Sequence, residues 1–116
     1  YCVKAKITLF AKPKDKDDAV RMLKALSGNV HEVVTGVTIH TKEMSRTFSV
    51  TSKVSFETLD NEEIEYYIDK YRPYDKAGAY GVQEWIGFIG VNNVEGSYFN
   101  VMGLPTHRLY KELKCF

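Results

Sequence analysis

His31-Glu32-Val33-Val34-Thr35-Gly36-Val37-Thr38-Ile39-His40 and Arg46-Thr47-Phe48-Ser49-Val50-Thr51-Ser52-Lys53-Val54-Ser55-Phe56 are the segments whose reading decides the fold. In the second, Phe48, Val50, Ser52, Val54 and Phe56 alternate with Thr47, Ser49, Thr51, Lys53 and Ser55, the two-residue period of a half-buried strand. Val33, Thr35, Val37 and Ile39 carry the same alternation through the first. The connection Thr41 to Ser45 is short and polar, which predicts an antiparallel hairpin. One face of each strand needs cover, and helices are expected to supply it.

The flanks hold those helices. Asp15, with Asp18 three residues on, reads as a helix N-cap, and Ala19, Met22, Leu23 and Leu26 form one apolar stripe of about three turns. Gly28 is expected to end that helix in a left-handed conformation. Asp60 with Glu63 repeats the capping signature ahead of Ile64, Tyr67, Ile68 and Tyr71, and Pro73 stops the second helix. Val3 to Phe10 reads as an irregular strand, and Trp85 to Val91 as a further strand ending in an Asn92-Asn93 turn. The hairpin and the Trp85 strand are expected to share one sheet. Pro105, followed by Leu109 and Leu113, marks a short C-terminal helix. The fold class is α/β, a mixed twisted sheet with packed helices.

A chain of 116 residues fits one domain or a large piece of one. Its net charge of +1 argues against a nucleic-acid binder held by charge, while a few local cations suffice for a small anion. No apolar run has the length of a membrane span and no signal-peptide pattern is visible, so a cytoplasmic location is expected. Cys2 and Cys115 lack the spacing of a metal motif and read as reduced thiols.

The aperiodic run Asp75-Lys76-Ala77-Gly78-Ala79-Tyr80-Gly81-Val82-Gln83-Glu84-Trp85 packs charge, glycine and aromatics together, the make-up of a binding loop. The Gln83 amide offers a donor and an acceptor together, matching the O4 and N3–H edge of thymine or uracil; an ordinary loop glutamine is the other reading. Gly81 would let backbone approach a base, and Tyr80 and Trp85 offer stacking faces. Asp75 and Lys76 could face a ligand, but an ion pair ordering the loop, with Gly78 in an unusual conformation, is the favoured reading. Lys12, before Pro13 at a helix start, could meet phosphate oxygens; in isolation it reads as one more solvated residue of the run Lys12, Lys14, Lys16. Asp60, Glu62, Glu63 and Glu65 read as a solvated helix start. Gly96-Ser97-Tyr98 with Asn100, ahead of a helical turn, could support a cleft wall, with packing the favoured role. His31, His40 and His107 are scattered and none is assigned to catalysis.

The loop words, with Glu95-Gly96-Ser97-Tyr98-Phe99-Asn100-Val101-Met102-Gly103-Leu104-Pro105, resemble the Maf family of septum-formation-like nucleotide pyrophosphatases. Its members carry similar Asp-Lys-Ala-Gly-x-Tyr-Gly-Ile-Gln and Gly-Ser-Tyr-x-Asn-Val-x-Gly-Leu-Pro segments. Lys12-Pro13, Leu26-Ser27-Gly28-Asn29-Val30-His31 and Thr35-Gly36-Val37 extend the likeness over nearly the whole chain from Lys12 onward. The resemblance implies a two-lobed α/β molecule with a nucleotide cleft, of which this chain supplies chiefly the C-terminal lobe. It implies hydrolysis of dTTP or UTP to the monophosphate and pyrophosphate, with Lys12 facing phosphate and Gln83 marking the pyrimidine-preferring branch. Ala11 stands where the family has the glycine of Gly-Lys-Pro, and Glu84 where a glycine usually follows the glutamine.

The family's Ser-x-x-Arg-Arg loop, a glutamate and the aspartate of an Ala-Asp-Thr strand end do not occur in this sequence; by family spacing that aspartate falls just before Tyr1. No catalytic residue is therefore expected within the chain. Magnesium or manganese is expected for the complete enzyme and no metal for this chain alone. The chain is read as a single, N-terminally truncated Maf-like domain. A silent remnant that binds nucleotide or itself is the alternative, and the inosine-triphosphate pyrophosphatase group is a weaker resemblance. A homodimer or larger oligomer is expected, because losing a lobe leaves apolar surface or an open sheet edge.

Overall fold

The computed structural model describes residues 2–5 and 8–115, with the side chains of residues 2, 5 and 8 excepted. Its elements are β1 (Cys2–Ala5), β2 (Thr8–Phe10), α1 (Lys16–Leu26), β3 (Val30–His40), β4 (Ser45–Phe56), α2 (Asn61–Tyr71), a 3₁₀ turn at Ala77–Ala79, α3 (Trp85–Gly90), β5 (Val91–Glu95), α4 (Tyr98–Met102) and α5 (Thr106–Cys115). The strands form one antiparallel sheet in the order β2-β1-β3-β4-β5. The fold is thus mixed α/β, as the periodicities predict.

The hairpin forms the spine, with pairs running from Val30↔Ser55 to His40↔Ser45. At its β3 start, His31, Val33 and Thr35 face inward and are buried. In α1, Asp15 accepts the Asp18 N–H at 2.8 Å, and Ala19, Met22, Leu23 and Leu26 are all buried. Burying each of the larger side chains contributes about 1.5–3 kcal/mol before the cost of ordering it. Gly28 takes φ 69°, the expected left-handed exit. In α2 the Asp60–Glu63 capping box is complete, and left-handed Arg72 ends the helix ahead of Pro73. Both helices share one core with Val3, Val33, Val54 and Phe56 of the sheet.

Two strand expectations are corrected. Val3 to Phe10 is not one irregular strand: β1 and β2 pair antiparallel, Val3 opposite Phe10, and elements this short show no alternation to read; residues 6–7 lie outside the described set. Trp85 to Val91 is not a strand and Asn92-Asn93 is not a turn. Trp85–Gly90 is the helix α3, and Asn92 and Asn93 lie in edge strand β5. Gly87 explains the helix. A Cβ there would collide with the Val82 carbonyl, so glycine alone lets the helix close onto the preceding loop. Among the described residues Cys115 is a free, exposed thiol, while the Cys2 thiol lies outside them. No helix among the described residues is long and apolar enough to cross a membrane.

Candidate functional site

The loop between α2 and α3 is tied down at its middle. The Gly78 N–H donates to the Ala11 carbonyl at 3.2 Å, which brings the loop against the residue before Lys12. Gly78 has φ 72°, and a Cβ on it would meet Val3 Cγ1 at 3.1 Å. Ala79 follows with φ 64°, a conformation costing an L-residue about 1–2 kcal/mol. Strain of this kind persists only where surrounding packing imposes it, and Ala79 is fully buried.

The result is an open cavity of about 340 Å³, lined by Lys12 and by Asp75, Lys76, Tyr80, Gly81 and Gln83 of the loop. Val101, Met102 and Gly103, at the end of α4, complete the lining. That volume lies at the lower end of small-ligand sites. Lys12 and Gln83 are exposed, and the Gln83 amide has no hydrogen bond among the described residues. Lys76 Nζ lies 3.2 Å from Asp75 Oδ1 and 3.2 Å from Glu84 Oε1. Burial pulls the Lys76 pKa down, but its hydrogen bond to Asp75 and its ion pair with Glu84 prevail and hold it above the ordinary lysine value. The same bond to Lys76, with the Lys12 charge adding to it, lowers the Asp75 pKa. Burial, and then the Glu84 charge, push the Tyr67 phenol up.

Of the residues singled out in the sequence, Lys12, Asp75, Lys76, Tyr80 and Gln83 come together at this cavity. Trp85 is not among its lining residues. Its ring stacks on Tyr71 at 6.4 Å and meets Tyr66 edge-on at 5.0 Å, both on α2. Tyr80 is buried, with its hydroxyl 2.6 Å from His31 Nε2. Glu84, not foreseen in this role, proves to be the second partner of Lys76. The segment read as packing or as cleft-wall support leads into α4, whose end, Val101 to Gly103, lines the cavity. Asn100, fully buried, holds that helix to the hairpin: Nδ2 donates to Val33 O, Val50 O and Ser52 Oγ at 3.1, 3.2 and 3.0 Å. The spacing of Ser97 and Asn100 gave a local signal, since Ser97 Oγ caps α4 by accepting the Asn100 N–H at 3.1 Å.

The family described as "Maf-like protein" matches residues 2–116. The chain belongs to the Maf family. A relative from Porphyromonas gingivalis named "dTTP/UTP pyrophosphatase" is 58% identical over 109 residues, 94% of this chain and 55% of the relative. Proteins of the same name are 57% identical in Parabacteroides distasonis, over 93% of this chain and 56% of theirs, and 56% identical in Bacteroides fragilis, over 89% and 53%. The chain thus spans about half the length of the curated relatives it matches.

The cavity of this Maf-family chain is lined by two ammonium groups, those of Lys12 and Lys76, and by the Gln83 side-chain amide, whose donors and acceptor are free of hydrogen bonds among the described residues. A divalent cation does not fit these residues. Among the described residues no group of three or more His, Cys, Asp or Glu is arranged to hold a metal, and the cavity's carboxylate, Asp75, is bound to Lys76.

Proposed function

We propose that this chain forms the base- and phosphate-binding wall of a Maf-type pyrophosphatase that converts dTTP or UTP to the monophosphate and pyrophosphate. The observation that carries this reading is the convergence of Lys12, Lys76 and the unengaged Gln83 amide on one cavity. Lys12 takes the phosphate end and Gln83 reads the O4/N3–H edge of the pyrimidine. Asp75 and Tyr80 support the cleft, and Trp85 supports it from behind by fixing α3 on α2. The names of the relatives favour the pyrimidine nucleotides as substrate.

The reading assigns the general base and a divalent metal, magnesium or manganese, to groups other than the residues that line this cavity. A positioned general base alone is worth about a hundred- to ten-thousand-fold in rate. The 116-residue chain is therefore expected to bind dTTP and UTP weakly and to release no appreciable pyrophosphate from them. The cytoplasm is the proposed compartment. A homodimer or larger oligomer is proposed because Tyr98, Phe99, Met102 and Leu104 leave large apolar groups exposed around α4; a clean monomer by sedimentation at tens of micromolar, the order of weak association, would count against it.

Calorimetric titration with dTTP and dATP tests the main reading. Binding of dTTP that exceeds dATP and weakens in Lys12→Met supports it. Equal affinity for both, or no binding of either, overturns it.

A further inference from the structure

Lys76 is shared by two carboxylates that differ in their exposure. The Asp75 side chain is 76% exposed and lines the cavity, whereas that of Glu84 is 24% exposed and lies outside the lining. Gly81 crosses directly over the second pair. A Cβ on Gly81 would stand 2.8 Å from Glu84 Oε1 and 3.1 Å from Lys76 Cε, so Glu84 and the Lys76 stem are confined beneath the loop. The Asp75–Lys76 contact has hydrogen-bond geometry but joins sequence neighbours through an exposed carboxylate, whereas the Lys76–Glu84 contact is an ion pair held in place by the loop.

Resting on the reading of the cavity as a nucleotide site, we propose that Glu84 is a positioning residue that anchors Lys76, while Asp75 is an exchangeable counter-ion that a ligand phosphate replaces on the Lys76 ammonium. An exposed pair between neighbours is weak and costs little to open. A phosphate group offers more charge and more acceptor oxygens than the carboxylate it displaces. Lys12, whose charge already acts on Asp75, meets the same incoming anion. Without a fixed partner the ammonium would swing on a flexible four-carbon stem once Asp75 left. Glu84 removes that freedom in advance, at the position where the family usually has glycine. No bond forms or breaks in the exchange; one anion replaces another.

The test is calorimetric titration of the 116-residue chain with inorganic pyrophosphate, without metal and at fixed ionic strength, beside a titration with dTTP. Lys76→Met should lose affinity for both by about tenfold or more, the scale of a lost charge-assisted contact. Asp75→Asn should bind pyrophosphate several-fold more tightly, and Glu84→Gln about tenfold more weakly. Because the ion pair with Glu84 helps hold the Lys76 pKa high, the alkaline limit of pyrophosphate binding should move to lower pH in Glu84→Gln and return in Glu84→Asp. If Glu84→Gln fails to fold by thermal melting, the Asp75→Asn affinity and the Glu84→Asp pH profile decide. Weaker binding by Asp75→Asn, or an unchanged affinity and pH limit in a folded Glu84→Gln, overturns the exchange while leaving the nucleotide site standing. Failure of the unaltered chain to bind dTTP overturns the nucleotide reading and this inference with it.

Discussion

His31 Nε2 lies 2.6 Å from the Tyr80 hydroxyl, joining a strand of the sheet to an aromatic residue of the cavity wall. Phe56 completes the contact, with ring centroids 5.2 Å from His31 and 5.0 Å from Tyr80. The cavity wall therefore leans on the most buried part of the hairpin, and what loosens His31 loosens the wall.

Acid should do so. Burial lowers the His31 pKa from 6.5 to about 4, and its Nδ1 has no hydrogen-bond partner among the described residues. Between those values the unfolded chain binds a proton at this position and the folded chain does not, so stability falls as pH drops from 6.5 to about 4. The full loss, reached below both values, is about 3 kcal/mol. Urea melts across this range should show a steep decline that flattens in His31→Gln, which keeps a hydrogen-bonding group for Tyr80 and does not titrate.

Gly87→Ala should destabilise the fold more than an ordinary helix substitution. Alanine is normally the better helix former by about 1 kcal/mol. Here its methyl would enter the Val82 carbonyl, which is backbone and has no rotamer to adopt. A net loss of about 1–3 kcal/mol is expected from overpacking. A melting temperature equal to or above that of the unaltered chain would refute the placement of α3.

Asn100→Ala removes the donor for two carbonyls and one hydroxyl of the hairpin. The loss should be about 1–3 kcal/mol. Asn100→Asp should be worse, because a carboxylate would turn acceptor oxygens toward Val33 O and Val50 O. Hydrogen exchange would place the damage at α4 and the adjoining part of β3 and β4 rather than at α2.

The hairpin, α1 and α2 were legible because each is long enough to display its period, and two carry their caps in the sequence. Trp85–Gly90 was not, since a six-residue apolar run reads equally as strand or helix. What decides it is the contact of Gly87 with Val82, which no periodicity reveals. The partners of Asn100 lie 50 and 67 residues away as backbone carbonyls, invisible to side-chain patterning. Glu84 stood out only as a departure from the family's glycine; its pairing with Lys76 depends on how Gly81 folds over both. Lys12 and Gln83 each have bland readings as isolated residues. It was the family resemblance that placed them in one site, and their shared cavity is what the fold adds.

Gln83 supplies the last prediction. Its amide is exposed, lines the cavity and is uncommitted to any hydrogen bond among the described residues, so replacing it should leave the fold intact. Gln83→Ala should therefore melt within about 0.5 kcal/mol of the unaltered chain, as ordinary exposed substitutions do. Its effect should fall on discrimination instead: dTTP affinity should approach that for dATP, with the loss confined to the pyrimidine. Gln83→Glu should be the sharper probe. A carboxylate can still accept from N3–H but cannot donate to O4, and it places a negative charge beside a polyanionic ligand. It should bind dTTP more weakly than Gln83→Ala despite keeping the length of the side chain. If Gln83→Glu binds dTTP as well as the unaltered chain, Gln83 does not face the base, and the orientation of the nucleotide in the cavity must be reversed.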